Sequence, residues 1–244
     1  MAADAPTILA TSGGLRRGTR TTWGFAPLIY FGVELARVVG RRPRVCFIGT
    51  AGGDQTFQAT LFSEAARAAG MEPTLANLYP MPNYDDMAAH LLHQDLVWVG
   101  GGSVANLVAL WRLHGLDVAL RQAWLAGIVL GGGSAGSICW HQGGTTDSFG
   151  PDLRQVAALG WLPYSNGVHY DSEAQRRPLF QKLIGEGALT DGYATDDGVG
   201  LYYRGTELVE AVSEVRGKGA YSVRRVGDRA VEERIEPRLL PGAS

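Results

Sequence analysis

The 244-residue chain has 45% hydrophobic and 19% charged residues, the balance of an ordinary globular protein. The formal net charge of −2 provides no electrostatic attraction for nucleic acid or for an anionic membrane surface. No apolar run reaches the roughly 18 residues that would indicate a membrane-spanning helix. We therefore expect a globular protein with neither a nucleic acid nor a membrane as its partner.

The two cysteines, Cys46 and Cys139, lie in apolar segments and form no C-x-x-C motif. We interpret both as buried free thiols in a reducing compartment. The first residues lack the basic and apolar segments of a signal peptide, so the expected location is the cytoplasm. The sequence contains neither an HExxH motif nor a His/Cys cluster with ligand spacing, so we expect no metal and no organic cofactor.

The first half of the chain alternates between short apolar strands and amphipathic helices. Strands are predicted at 7–11, 44–48, 74–78, 95–99 and 126–130, and helices at 26–39, 55–69, 83–93, 103–113 and 116–125. This alternation predicts an α/β fold in which a mostly parallel sheet is covered by helices on both faces. Glycine-rich turns end several strands, at 13–14, 52–53, 100–102 and 131–133. They are expected on one rim, because ligands of such sheets bind beyond the carboxyl ends of the strands.

In the last third of the chain, the alternation of strands and helices gives way to a run of predicted short strands. A helix is predicted at 173–185, followed by short strands at 198–203, 206–209 and 220–223. These strands indicate an antiparallel meander at the sheet edge. Beyond Gly227 the chain is charged and ends in Pro-Gly-Ala-Ser, which predicts a partly disordered tail. We expect residues 1–244 to form one domain with a core at about 7–227.

A glycine-rich turn with one serine at its apex directly follows the predicted strand 126–130. Gly132, Ser134 and Gly136 form the pattern Gly-x-Ser-x-Gly, which is typical of a tight strand-to-helix turn that exposes a nucleophilic serine. The alternatives are a phosphate-binding turn or a plain loop. A phosphate site is disfavoured, because the segment has neither a Walker A lysine nor Gly-x-Gly-x-x-Gly spacing. The turn therefore favours acyl transfer through Ser134.

A nucleophilic serine needs a base, and five histidines are available. His90, His93 and His114 are predicted on polar or solvated segments. His141 lies two turns into the helix after Ser134, which would carry it away from the hydroxyl. His169 follows another predicted strand end at 159–162 and is the favoured base. The alternative for His169 is a partly buried structural role.

The base needs a carboxylate to orient it. The candidates are Asp147, Asp152, Asp171, Asp196 and Asp197. The turn Asp196-Asp197-Gly198 precedes an apolar strand and favours a fixed carboxylate, although two aspartates before a glycine can also form a simple turn. The resulting order Ser134, His169, Asp197 disfavours an α/β-hydrolase, in which the acid precedes the histidine.

Acyl transfer also needs donors for the tetrahedral oxyanion. The backbone N–H of Ala135, the residue after the serine, is one candidate. Gly102, at the neighbouring glycine-rich strand end, is the second, because no side chain blocks its approach.

Three segments together resemble a known family. The motifs Trp98–Ser103, Gly132–Gly136 and Gly167–His169 are similar to those of the serine peptidases of the dipeptidase E and cyanophycinase family, over about residues 8–225. The resemblance implies a three-layer sandwich with a flavodoxin-like sheet, similar to the class I glutamine amidotransferase domain. It also implies Ser134 as nucleophile, His169 as base, and the amides of Gly102 and Ala135 as oxyanion donors.

The third catalytic member in this family is a glutamate before a glycine. Asp197 occupies the matching position, and Asp147 and Asp196 are the reserve candidates. Asp147 resembles another acidic position near the family's active site. Because an aspartate is one methylene shorter, the backbone would need to approach His169 more closely.

The substrate-binding candidates are Glu173, Arg176 and Ser103. In the Asp-specific dipeptidases an arginine shortly after the catalytic histidine binds the substrate's aspartate, and here Glu173 stands at that position. A carboxylate there would penalise an acidic substrate and favour a free amine or a basic side chain. Arg176 or Arg177 could compensate if the alignment shifts by a few residues.

The resemblance implies a serine exopeptidase or dipeptidase that hydrolyses small peptides through an acyl-enzyme, without strict specificity for N-terminal Asp. One alternative is a cyanophycinase-like β-aspartyl peptidase that uses the same triad. The other is a catalytically silent, amidotransferase-like binding domain. The expected partner is a small peptide, with a homodimer as an option if the antiparallel edge exposes apolar side chains.

Overall fold

The computed structural model describes residues 3–244, so Met1 and Ala2 of the expected domain lie outside the described residues. The α-helices are α1 (Pro27–Leu35), α2 (Thr56–Ala68), α3 (Met87–Leu92), α4 (Val104–His114), α5 (Leu116–Leu125), α6 (Ala135–Ile138) and α7 (Arg176–Gly185). Within residues 3–244, none of these helices has the length and apolar character needed to cross a membrane.

The strands of the first half are β1 (Thr7–Thr11), β2 (Leu15–Arg17), β3 (Trp23–Phe25), β4 (Arg44–Ile48), β5 (Glu72–Leu75), β6 (Leu96–Val99) and β7 (Val129–Gly133). The strands of the second half are β8 (His141–Thr146), β9 (Arg154–Ala157), β10 (Leu162–Gly167), β11 (Gly192–Thr195), β12 (Val199–Arg204), β13 (Glu207–Ser213), β14 (Ala220–Val226), β15 (Arg229–Ile235) and β16 (Arg238–Leu239).

The larger sheet has eight strands in the order β16-β13-β12-β1-β7-β6-β4-β5. Strands β1, β7, β6, β4 and β5 run parallel, while β12 pairs antiparallel with β1 and with β13. This arrangement confirms the predicted α/β fold with a mostly parallel sheet and an antiparallel edge formed by C-terminal strands. The carboxyl ends of the parallel strands meet at one rim.

Strands β1, β4, β6 and β7 are buried along almost their whole length, because helices cover both faces of the sheet. On one face, Leu9, Val45 and Phe47 pack with side chains of α1 and α2. On the other face, Ile8 and Cys46 pack in a second cluster with side chains of α4 and α5. The two clusters make the helix–sheet–helix sandwich that the sequence predicted.

A second sheet of six strands, in the order β15-β14-β11-β10-β8-β9, is not predicted by the sequence. Its strands are hard to recognise because β8 and β10 are rich in glycine and polar residues. A Cβ atom at Gly143 or Gly144 would lie 2.2 Å from a carbonyl oxygen of a neighbouring strand, so close strand approach requires glycine there. Helix α7 covers one face of this sheet through Phe180 and Ile184. Helix α6 contacts strands of both sheets.

The C-terminal strands differ from the single meander that the sequence predicted. β12 and β13 extend the larger sheet, whereas β14 and β15 belong to the second sheet. The segment beyond Gly227, predicted as a partly disordered tail, forms β15 and β16 and buries Leu240 to 4% exposure. Cross-strand ion pairs such as Arg224–Glu233 and Arg238–Glu210 explain how a charged segment forms strands.

Candidate active site

Ser134 lies in a tight turn between β7 and α6. The strand continues through the three glycines to Gly133, three residues beyond the predicted strand end. Ser134 has φ 58° and ψ −115°, a conformation that L-residues rarely adopt and that the surrounding contacts must hold in place. A Cβ atom at Gly132 or Gly136 would lie 2.6 or 2.2 Å from the Val99 carbonyl oxygen. Glycine is therefore required at both positions for α6 to pack against β6.

His169 follows β10 of the second sheet, yet it reaches the rim of the larger sheet. Its backbone has φ 53°, and its N–H donates to the Ser12 hydroxyl at 3.2 Å. The Ser12 Oγ atom also lies 2.7 Å from the Thr195 hydroxyl. Ser12 thus connects the end of β1 to the loops that carry His169 and Asp197. Ser12 had no predicted role, although its position before Gly13-Gly14 at a strand end was a usable signal.

Asp197 is the acidic side chain that faces His169. The Nδ1 atom of His169 lies 2.5 Å from Oδ1 of Asp197. The backbone N–H of Asp197 donates to Oδ1 of Asp171 at 2.9 Å, and Asp171 forms an ion pair with Lys218. Partial burial raises the pKa of Asp171, but hydrogen bonds from Lys218 and from the Asp197 N–H outweigh it and hold that pKa below its usual value. A charged network therefore fixes the turn that presents Asp197.

The two reserve acids lie elsewhere. Asp196 is buried, and it accepts hydrogen bonds from the Gly219 N–H at 2.8 Å and from the Tyr221 hydroxyl at 3.2 Å. Burial raises the pKa of Asp196. Asp147 is exposed and borders a separate depression together with Glu173. Neither carboxylate has a recorded hydrogen bond to His169 in the described part of the chain.

Ser134 and His169 open into the same cavity, which has a volume of about 630 Å³. Its polar lining comes from Ser12, Gln55 and Gln58 and from the backbone at Gly13, Gly100, Gly101 and Gly133. Its apolar lining comes from Leu15, Trp23, Phe47, Phe57, Leu61, Phe62, Trp98 and Val99. Within residues 3–244 no direct hydrogen bond joins the Ser134 hydroxyl to the His169 ring. Such bonds often form only when substrate closes the site.

Backbone amides of two glycine-rich segments lie beside Ser134. Across the described residues, the N–H groups of Gly101, Gly102 and Ala135 have no acceptor within the protein. Gly102 has φ +136°, and a Cβ atom there would lie 2.3 Å from the Ala51 carbonyl oxygen. A Cβ atom at Gly101 would lie 3.2 Å from the Ser134 Cβ, so Gly101 approaches the serine closely. Gly101 is therefore a third candidate oxyanion donor beside Gly102 and Ala135, and it was not predicted from the sequence.

The three predicted substrate-binding side chains do not line this cavity. The Ser103 hydroxyl caps α4 by accepting from the Asn106 N–H at 3.3 Å. Arg176 is 3% exposed, and its Nε donates to Glu173 Oε2 at 2.6 Å while its Nη1 donates to the Thr145 carbonyl. The charge of Glu173 is therefore compensated locally. Within residues 3–244, none of the three side chains has a hydrogen bond to Ser134.

The other histidines lie away from this cavity. His141 is fully buried, with Nδ1 donating to the Ser137 carbonyl at 2.9 Å and Nε2 accepting from the Tyr203 hydroxyl at 3.1 Å. Burial lowers the pKa of His141 to about 4. The His90 ring stacks on Tyr84. Among residues 3–244, no group of three or more His, Cys, Asp or Glu side chains is arranged to hold a metal ion.

Over most of its length, the chain matches a known protein family. The sequence model of peptidase family S51 matches residues 26–211. The uncharacterised peptidase YgaJ of Bacillus subtilis (strain 168) is 41% identical over 182 residues, which cover 75% of this chain and 78% of YgaJ.

Two solved structures share the fold at low sequence identity. A candidate peptidase E of Listeria monocytogenes EGD-e superposes with a TM-score of 0.60 at 18% identity, over 86% of this chain and 98% of that one. A peptidase from an acI-B1 Actinobacterium superposes with a TM-score of 0.66 at 14% identity, over 97% of this chain and 96% of that one.

Proposed function

Because the chain belongs to peptidase family S51, we propose that it is a serine-type peptidase that hydrolyses small peptides through an acyl-enzyme on Ser134. The observation that carries the proposal is the shared cavity. Ser134 sits at the apex of a strained turn, and His169, oriented by Asp197 at 2.5 Å, opens into the same space. A serine, a histidine and a carboxylate that orients the histidine are the parts that acyl transfer needs.

In the proposed reaction, Nε2 of His169 accepts the proton of the Ser134 hydroxyl as Oγ attacks the substrate carbonyl carbon. Asp197 holds the proton on Nδ1, so that Nε2 is free to act as the base. The tetrahedral oxyanion accepts hydrogen bonds from the amides of Ala135 and of Gly101 or Gly102. His169 then donates the proton to the leaving amine, and the C–N bond breaks.

The second half of the reaction releases the acyl group. A water molecule gives its proton to Nε2 of His169 and attacks the acyl-ester carbonyl. The proton returns to Oγ of Ser134 as the ester bond breaks, which frees a carboxylic acid. The hydroxyl–imidazole hydrogen bond must form for these steps, and we expect substrate binding to bring it about.

The volume of the cavity is suited to short peptide substrates. At about 630 Å³ it falls within the roughly 300–1,000 Å³ that is usual for pockets of small organic ligands. A peptide of two or three residues is a ligand of this size. We therefore favour a dipeptidase or exopeptidase over an enzyme that binds a long chain.

Hydrolysis of a panel of unblocked dipeptides and tripeptides tests the proposal. We expect the wild-type protein to hydrolyse at least part of the panel, and Ser134→Ala to lower kcat by roughly 10³-fold or more. Ser222→Ala is the matched control, because Ser222 lies on β14 of the second sheet and does not line the cavity. Equal turnover by Ser134→Ala and wild type would overturn the serine mechanism.

A further inference from the structure

The floor of the cavity beside Ser134 is formed by three buried aromatic side chains. Phe47, Phe62 and Trp98 are only 5%, 1% and 2% exposed. The rings of Phe47 and Phe62 stack with their centroids 4.8 Å apart. The Trp98 indole fills the space beside two glycines, since a Cβ atom at Gly14 or Gly131 would lie 2.6 or 3.1 Å from it. The floor is therefore rigid and already formed.

The rim of the cavity adds large apolar side chains that face solvent. Phe57 is 67% exposed and Leu15 is 42% exposed. Phe57 and Leu61 lie one helical turn apart on α2, so both belong to the same face of the helix. Together with Trp23 they form a partly exposed apolar cluster that borders the candidate site. Such clusters usually mark a binding surface.

In the part of the chain that the structure describes, no Asp, Glu, Lys or Arg side chain lines this cavity. Glu214 lies just beneath it, but Glu214 is 7% exposed and both of its carboxylate oxygens are occupied. They accept from the backbone N–H groups of Gly14 at 3.0 Å and of Leu28 at 3.1 Å. A carboxylate or ammonium group of a substrate placed here would lose its hydration and gain no opposite charge.

We propose that this cavity is a side-chain pocket for a large apolar residue, preferably an aromatic one, on one side of the scissile bond. The proposal rests on the serine peptidase function proposed above, because it places the pocket next to the reacting bond. An aromatic ring would stack on the Phe47–Phe62–Trp98 floor and be covered by Phe57 and Leu61. The chain would then differ from the Asp-specific dipeptidases that its motifs resemble.

The first arm of the test measures binding without catalysis. The Ser134→Ala protein is titrated by calorimetry with Phe-Ala, Leu-Ala, Asp-Ala, Lys-Ala and Ala-Ala, and with the four reversed sequences Ala-Phe, Ala-Leu, Ala-Asp and Ala-Lys. At one of the two peptide positions, we expect dipeptides with Phe or Leu to bind on the order of 10–100-fold more tightly than Ala-Ala. Dipeptides with Asp or Lys at that position should bind more weakly than Ala-Ala. Equal affinities, or tighter binding of Asp or Lys, would overturn the pocket.

The second arm uses variants of the rim. Phe57→Ala and Leu61→Ala, singly and together, should lower the Phe-over-Ala ratio of affinities by about tenfold. Leu113→Ala is the matched control, since Leu113 is a 77% exposed leucine on α4 that does not line the cavity. An unchanged ratio in the double variant would contradict the assignment of the rim.

The third arm separates this inference from the function on which it rests. Wild-type kcat/KM is measured on the same nine peptides. Turnover that depends on Ser134 but favours Asp or Lys would overturn the pocket and leave the serine mechanism standing. Tighter binding of Phe and Leu without any Ser134-dependent turnover would support the apolar pocket while overturning the proposed reaction.

Discussion

The Nδ1 atom of His169 lies 2.5 Å from Oδ1 of Asp197, although the two residues follow different strands of the second sheet. Strands β10 and β11 are parallel neighbours, so their carboxyl ends lie side by side. Ser12, from the end of β1, bonds the His169 backbone and places this pair over the larger sheet, close to Ser134. The candidate triad is therefore assembled at the junction of the two sheets.

Replacing Asp197 with asparagine should lower kcat by roughly 10²–10⁴-fold with little change in KM. An amide cannot hold the proton on Nδ1 as a carboxylate does, so His169 would lose its orientation and its proper tautomer. Steady-state kinetics measure the effect, and Asp228→Asn, in an exposed turn, is the control. If Asp196→Asn or Asp147→Asn abolished turnover while Asp197→Asn did not, another acid would complete the triad.

Asp171 is predicted to be a positioning residue, because it accepts from the backbone N–H of Asp197 and pairs with Lys218. Asp171→Ala should lower kcat by about tenfold and leave KM nearly unchanged, since the loop that carries Asp197 would be less fixed. Asp171→Asn keeps an acceptor oxygen and should recover most of the lost kcat. Equal losses in both variants would contradict a role through this hydrogen bond.

The backbone of Ser134 stores strain that a glycine would relieve. The backbone of Ser134 has φ 58° and ψ −115°, which glycine adopts more easily than serine. Ser134→Gly should therefore raise the free energy of unfolding by about 1 kcal/mol while it removes the nucleophile. Ser134→Ala keeps the Cβ atom, so it should lack activity without this gain in stability. Urea denaturation of both variants measures the difference. A glycine variant less stable than the alanine variant would exclude strain at this turn.

Gly102→Ala should damage both stability and activity. Its φ of +136° is unfavourable for alanine, and the new Cβ would lie 2.3 Å from the Ala51 carbonyl oxygen, so the backbone would have to move. Loss of one oxyanion donor typically lowers kcat by roughly 10²–10³-fold. Gly115→Ala is the control, because Gly115 has φ +69° with no neighbour within 4 Å of the added Cβ. That variant should lose about 1 kcal/mol of stability and no kcat.

Buried His141 should make the protein less stable in acid. Burial lowers its pKa from 6.5 to about 4, so the folded state binds this proton less readily than the unfolded state. Above pH 6.5 this histidine does not reduce the stability of the folded state. As the pH falls toward 4, it lowers the free energy of unfolding by roughly 3 kcal/mol.

His141→Gln keeps a donor and an acceptor but does not titrate. Between pH 7 and pH 4, its free energy of unfolding should therefore fall by roughly 3 kcal/mol less than that of the wild type. Equilibrium denaturation at both pH values measures the comparison. Parallel pH profiles for the two proteins would contradict a neutral buried imidazole.

Strands β1, β4, β6 and β7 of the larger sheet were predictable, because they are short and largely apolar and have glycine at or within two residues of their ends. The predicted strand 74–78 was misplaced, because β5 spans Glu72–Leu75 and has no such pattern. Hydrophobic periodicity gave α2, α4 and α5 within one or two residues. The second sheet was not predictable, because β8 and β10 place glycines where neighbouring backbones approach. Neither strand has the alternation of apolar and polar residues that identifies a half-buried strand.

The candidate site could be predicted only where local sequence determines geometry. Gly132-x-Ser134-x-Gly136 specifies its own turn, and His169 and Asp197 each follow a strand, so their meeting at one rim could be expected. The apolar cavity could not be foreseen, because Trp23, Phe57 and Trp98 come from three separate elements. Glu173 and Arg176 were candidates because of the family resemblance, yet their side chains form an ion pair with each other.

The most direct test of the central claim is to label the protein with a fluorophosphonate and locate the adduct by mass spectrometry. The account predicts one adduct per chain, on Ser134, with labelling abolished in Ser134→Ala and strongly slowed in His169→Ala. Labelling of another residue, or no labelling in a protein that still hydrolyses peptides, would contradict a nucleophilic Ser134.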